Sequence, residues 1–100
     1  MITPEAQKVI DLMVTISGQS QEAILGRGRQ RPLPTCRWLI ARELVFRLGY
    51  STMTAGAVVG RDHATVLYGL KHLNTYLRQQ DNPIERHIAT TFLAAIDGNG

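Results

Sequence analysis

Four side chains able to donate or accept hydrogen bonds crowd into the stretch Gly60-Arg61-Asp62-His63-Ala64-Thr65-Val66-Leu67-Tyr68-Gly69-Leu70. Arg61 carries a fork of donors and Asp62 two acceptor oxygens. His63 has a ring with one donor and one acceptor, and Thr65 a hydroxyl and a methyl. Groups of this kind suit the recognition of polar edges. What positions them is legible in the same residues. Glycine followed by polar residues reads as a tight turn, and Asp62 is a good N-cap because its carboxylate can accept N–H bonds from a helix's first turn. Val66, Leu67, Leu70, Leu73, Tyr76 and Leu77 then recur at spacings of three and four, which predicts one buried helical stripe. Arg61, Asp62, His63 and Thr65 fall outside that stripe. A helix with a buried body and such a first turn suits the second helix of a helix-turn-helix, whose N-terminal residues meet base edges in the major groove.

Gly60 to Leu67 resembles the signature of the C-terminal duplex-binding domain of DnaA, the bacterial chromosomal replication initiator. That family carries Gly-Arg-Asp-His-(Ser/Thr/Ala)-Thr-Val at the start of its recognition helix. The resemblance implies an all-α fold of five or six short helices around a helix-turn-helix, similar to the Trp-repressor-like fold. It implies sequence-specific binding of double-stranded DNA, as in replication initiation or its regulation. By the family's use of its matching positions, Arg61 clamps a phosphate, and Asp62 accepts from a cytosine amine. On the same basis His63 meets a base edge, and Thr65 bonds a base edge or packs its methyl on thymine. Ala64 stands where many members carry a phosphate-binding Ser or Thr. Tyr68 stands where the family often has His; it can reach a phosphate through its hydroxyl or lie as a partly buried aromatic.

One hundred residues make one domain. The net charge of +3 is unevenly spread: Gly26–Arg61 holds seven arginines against Glu43, a local +6, while the rest of the chain is −3. A polarised basic segment is the footprint expected of a nucleic-acid binder, and arginine's planar fork suits phosphate or groove contact. Cys36 is the single cysteine, so there is no disulfide framework and no multi-cysteine metal site. With no membrane-length apolar run and no N-terminal leader, the sequence leads to the expectation of a cytoplasmic, nucleoid-associated protein.

In chain order, Thr3-Pro4-Glu5 opens a helix whose core stripe is Val9, Ile10, Met13, Val14 and Ile16, up to Ser17-Gly18. Ser20 caps a short helix, Gln21 to Leu25. Residues 26–34 form a basic loop with two glycines and two prolines. Alternating Gly and Arg makes an arm that can follow a phosphate backbone or enter a narrow minor groove. The resemblance implies that one loop arginine enters the minor groove: Arg29 is the first candidate, with Arg27 and Arg31 beside it as phosphate contacts. Pro34 or Thr35 starts a third helix to Leu48, ended by Gly49, with Cys36, Leu39, Ile40, Leu44 and Leu48 inward and Trp38 partly exposed. In that helix Arg37 and Arg42 are candidate phosphate contacts.

Residues 52–59 form the first helix of the helix-turn-helix, which spans about 52–79. Met53, Ala57 and Val58 or Val59 are available to the core, and Ser51 or Thr52 can donate to a phosphate. The recognition helix runs to about Gln80. Asn82 as N-cap, Pro83 and a capping-box Glu85 restart a closing helix over 83–97, with Ile84, Ile88, Phe92 and Ala95 or Ile96 inward. Gly98-Asn99-Gly100 is expected to fray.

An enzyme is not expected. His63, His72 and His87 are scattered along the chain with no acid or cysteine at ligand spacing. No Walker loop occurs, so the initiator's ATP site has no counterpart here. No cofactor, metal or membrane partner is expected. Double-stranded DNA is the expected partner, with other replication or regulatory proteins open. The competing reading is a protein-interaction adaptor, or a transcription regulator of a mobile element, that keeps the fold without origin function.

Overall fold

Local capping places the helix starts. In the computed structural model, which describes residues 2–79 and 81–98, Thr3 Oγ1 accepts from the Ala6 N–H at 3.2 Å and opens α1, Pro4–Ser17. Ser20 Oγ accepts from Ala23 N–H at 3.1 Å and opens α2, Gln21–Leu25. Ser51 opens α4, Thr52–Val59; Asp62 opens α5, His63–Arg78; Asn82 accepts from Ile84 and Glu85 and opens α6, Pro83–Gly98. Such caps satisfy first-turn N–H groups that have no partner inside the helix. The described residues form six helices and contain no strand, so the fold is all-α.

The central helix departs from its expected bounds. α3 spans Leu33–Phe46, with Leu33 N–H donating to Gln30 O at 2.9 Å, so it begins before Pro34 and stops short of Leu48. Gly49, at φ 76°, turns the chain away as expected, and Tyr50 N–H closes the end on Leu44 O. α3 packs against all five other helices. That position buries it on nearly every side, including Leu33, Thr35, Arg37, Ala41 and Glu43, which no single apolar stripe marks. Cys36, Leu39, Ile40 and Leu44 are buried as expected, whereas Leu48 is half-buried.

Three expected stripes shift at their edges. In α1, Val9, Ile10 and Met13 reach the core with Ala6, but Val14 and Ile16 stay half-buried. In α4, Ala55, Gly56, Val58 and Val59 are buried, while Ala57 is exposed and Met53 is 70% exposed. In α5, Val66, Gly69 and Leu73 carry the buried face. Leu67 lies about 100° around the helix from Val66 and is 52% exposed. Tyr76 sits at the opposite margin of the stripe.

α6 holds the largest correction. Ile88, Ala89, Phe92 and Ile96 set a stripe whose register passes through Glu85 rather than Ile84. Glu85 is therefore buried, and Ile84 lies on the outside. The Glu85 carboxylate points away from the expected capping box: Oε1 accepts from Thr35 Oγ1 at 2.7 Å and from Tyr76 Oη at 3.2 Å. Gly98 is the last residue of α6; Gln80, Asn99 and Gly100, where the α5 end and the fraying tail were placed, lie outside the described residues. None of the described helices is long and apolar enough to cross a membrane.

Candidate nucleic-acid interface

The turn between α4 and α5 is three residues, Gly60-Arg61-Asp62. Gly60 has φ 70°, and a Cβ there would meet Leu25 O at 2.9 Å. Only glycine accepts both the left-handed backbone and the approach of the α2 end. Arg61 N–H donates to Gly56 O at 2.8 Å, which closes α4. The Arg61 guanidinium donates from Nη1 to Gly60 O at 2.9 Å and to Gly26 O at 3.2 Å. Arg61 thus joins the turn to the first residue of the basic loop. Its expected phosphate clamp has to work alongside that structural bond.

Asp62 is exposed and accepts from Thr65 N–H through Oδ1 at 2.7 Å. Hydrogen bonds from Thr65, the side chain first and then the backbone N–H, hold its carboxyl below the ordinary range. At neutral pH it is a carboxylate that caps α5 and remains open to solvent. His63, Ala64 and Thr65, the first residues of α5, are also exposed. His63 Nδ1 lies 2.6 Å from Thr52 Oγ1, so the first residues of α4 and α5 are hydrogen-bonded to one another. Nothing at an eleven-residue separation in the sequence marks this pairing, which gives Thr52 a partner other than the expected phosphate.

Ser51 Oγ accepts from Thr54 N–H at 3.0 Å and donates to Thr54 Oγ1 at 2.9 Å. Its hydroxyl proton is already engaged, and a phosphate bond would have to replace that contact. Tyr68 is 68% exposed, its ring centroid 4.3 Å from that of His72. This removes the partly buried alternative and leaves the hydroxyl accessible. Tyr68, His72, Leu73, Tyr76, Gly69 and Trp38 line a cleft of about 160 Å³. Trp38 lies flat against Gly69, where a Cβ would meet the indole at 2.9 Å.

The seven arginines of the basic segment divide sharply. Arg27 and Arg29 are exposed on the loop. Arg31 is turned to Glu85, with Nε 3.5 Å from Oε2. Oε2 makes no hydrogen bond, so this longer ion pair is its compensation, and Arg31 is a poorer phosphate candidate than the sequence implied. Arg37 is only 2% exposed. Its Nε donates to Ile24 O at 2.6 Å and its Nη2 to Gly28 O. Burial, and then the nearby Arg61 charge, lowers its pKa from the usual value. The expectation that Arg37 contacts phosphate is therefore corrected: its donors hold the end of α2 and the basic loop. Arg42 donates from Nη1 to Glu43 Oε2 at 2.6 Å, neutralising a buried carboxylate. That bond engages Nη1, while the Arg42 side chain as a whole stays 38% exposed. Arg47 donates to Ile96 O at 3.1 Å.

The loop leaves Arg61 at the start of α5 and reaches Glu85 and Tyr76 near its end, so Arg27 and Arg29 ride on a segment anchored at both ends. Together, the structure gathers Asp62, His63, Thr65 and Arg61 at one helix start, and connects the Arg27–Arg29 loop to it. A larger cleft of about 410 Å³, lined by residues of α1, the α3 end and α6, contains none of the predicted contact residues. Among the described residues, no group of three His, Cys, Asp or Glu side chains can hold a metal ion. No known protein family and no curated protein matches this chain.

Proposed function

We propose that this protein binds double-stranded DNA sequence-specifically, with α4 and α5 acting as a helix-turn-helix and α5 as the recognition helix. The observation that carries the reading is the exposed start of α5: Asp62, His63 and Thr65 stand together there, with the neighbouring α4 start bonded to His63. Asp62 offers an acceptor, His63 and Thr65 offer donors or acceptors, and base edges in the major groove present the complementary pattern. Arg61 at the turn reaches a phosphate, and Arg29 or Arg27 on the anchored loop enters the adjacent minor groove. The resemblance of Gly60–Leu67 to the replication initiator's duplex-binding domain supports an origin-type box as the target and a Trp-repressor-like class for the fold. On this reading the protein works in the cytoplasm on the nucleoid, is not an enzyme, and needs no cofactor to bind.

The test is selection of bound duplexes from a random pool at two salt concentrations, followed by binding of His63→Ala. A short motif should be enriched, and affinity should fall steeply with salt. His63→Ala should lose about 1–3 kcal/mol on the selected duplex and little on a scrambled one. Salt-sensitive binding with no enriched motif would remove the specific reading. Absence of duplex binding at both salt concentrations would leave the interaction adaptor in its place.

A further inference from the structure

The hydrogen bond between the two helix starts does more than brace the turn. Thr52 and His63 are the first residues of α4 and α5, and Thr52 Oγ1 lies 2.6 Å from His63 Nδ1. A neutral imidazole carries its proton on one nitrogen, and the partner of one nitrogen decides what the other presents. We infer that Thr52 is a positioning residue that sets the specificity of His63: its hydroxyl donates to Nδ1 and leaves Nε2–H as a fixed donor for a base edge. The inference rests on the duplex-binding reading above.

The direction of the bond follows from the inventory of partners. Among the described hydrogen bonds, the Thr52 hydroxyl has Nδ1 as its one acceptor. Donation to Nδ1 satisfies that proton within the protein and agrees with imidazole's own preference for the Nε2–H form. The reverse arrangement would place a ring N–H against the positive ends of both helices, where the dipoles favour a lone pair. With Nδ1 held, the ring has one orientation before any ligand arrives. An exposed histidine without such a partner would have to give up rotamer freedom on binding.

A fixed Nε2–H selects for bases that offer a major-groove acceptor. Guanine, adenine and thymine each do; cytosine presents its amine donor instead. Asp62, the adjacent acceptor, has the opposite preference. The pair of neighbouring residues thus reads a donor and an acceptor in order, and Thr52 keeps the second member of the pair from switching its sense. Thr52 need not touch DNA to act in this way.

Thr52→Val keeps the side-chain shape and removes the hydroxyl, and Thr52→Ser restores the hydroxyl without the methyl. Nitrogen-15 NMR of the free protein, with His63→Ala assigning the ring, reads the tautomer without DNA. Wild type and Thr52→Ser should show protonated Nε2 and bare Nδ1; Thr52→Val should show a mixture. On the selected duplex, Thr52→Val should lose roughly three- to tenfold in preference for the chosen base at one position, with the salt slope unchanged. Thr52→Ser should retain that preference. Equal thermal midpoints for the three proteins would separate these effects from a loss of fold. An identical ring spectrum in Thr52→Val, a wild-type spectrum with protonated Nδ1, or an unchanged base preference would each overturn the inference. A wild type that prefers no duplex would overturn it through the duplex-binding reading instead. The NMR result would then tell the two failures apart, because the ring spectrum can still report the Thr52–His63 bond.

Discussion

Replacement of Arg37 by Met separates the role that burial gives this residue from the role that its charge implies. The side chain is 2% exposed, with Nε donating to Ile24 O at 2.6 Å and Nη2 to Gly28 O. Methionine keeps the apolar stem and removes both donors. The Ile24 carbonyl is buried with that bond, so its loss strands an acceptor and costs about 2–3 kcal/mol. The Gly28 carbonyl is only partly buried, and water can replace the donor at a cost of about 0–1 kcal/mol. Against this, the variant no longer buries a guanidinium, which returns part of the loss. The net expectation is a destabilisation of about 1–3 kcal/mol, or about 5–20 °C in the thermal midpoint of a domain this size. Circular dichroism during heating, paired with urea unfolding, measures it. The slope of log affinity against log salt on DNA should stay as in wild type, since no phosphate contact is removed. An unchanged midpoint together with a slope smaller by about one would refute this reasoning and make Arg37 a phosphate contact.

Two further expectations concern titrating groups. Asp62 is held below the ordinary carboxyl range by hydrogen bonds from Thr65, so the folded state takes up its proton less readily than the unfolded chain. Its stabilising effect is complete above that range and is lost as pH falls through the depressed value. The thermal-midpoint difference between wild type and Asp62→Ala should hold steady from about pH 7 to 5 and close below about pH 4; a difference constant to about pH 2 would contradict the capping role. The buried Cys36 thiol is pushed up to about 11, chiefly by desolvation. At about pH 7.5 it should therefore resist a disulfide reagent in the folded protein and react fully in guanidinium, which a thiol colour assay follows; rapid reaction of the native protein would place it nearer the surface.

How much of this protein was legible beforehand depends on the distance over which each interaction acts. Thr3, Ser20, Asp62 and Asn82 cap helices through bonds to N–H groups two or three residues on, and residue type with local order is enough to identify such caps. Stripe centres such as Ile10, Ile40, Val66 and Phe92 were also legible, because apolar periodicity is a property of the chain itself. Stripe edges were not: Leu67, Met53 and Ile84 are exposed because a neighbour's position decides how wide a face is covered.

The sequence by itself determined an all-helical chain, the polar start of α5 and a basic segment before it. It did so because capping, periodicity and charge are written residue by residue. Tertiary structure alone decided which of the cations remain outside. Arg37 was drawn inward to carbonyls of α2 and the loop, and Arg31 was turned to a carboxylate more than fifty residues away. It also paired Thr52 with His63 and buried Glu85 against Thr35 and Tyr76. For the buried groups among these the physical reason is common. A buried polar group must find a partner wherever the packed helices bring one, and that partner is set by the arrangement of six helices around α3 rather than by spacing along the chain.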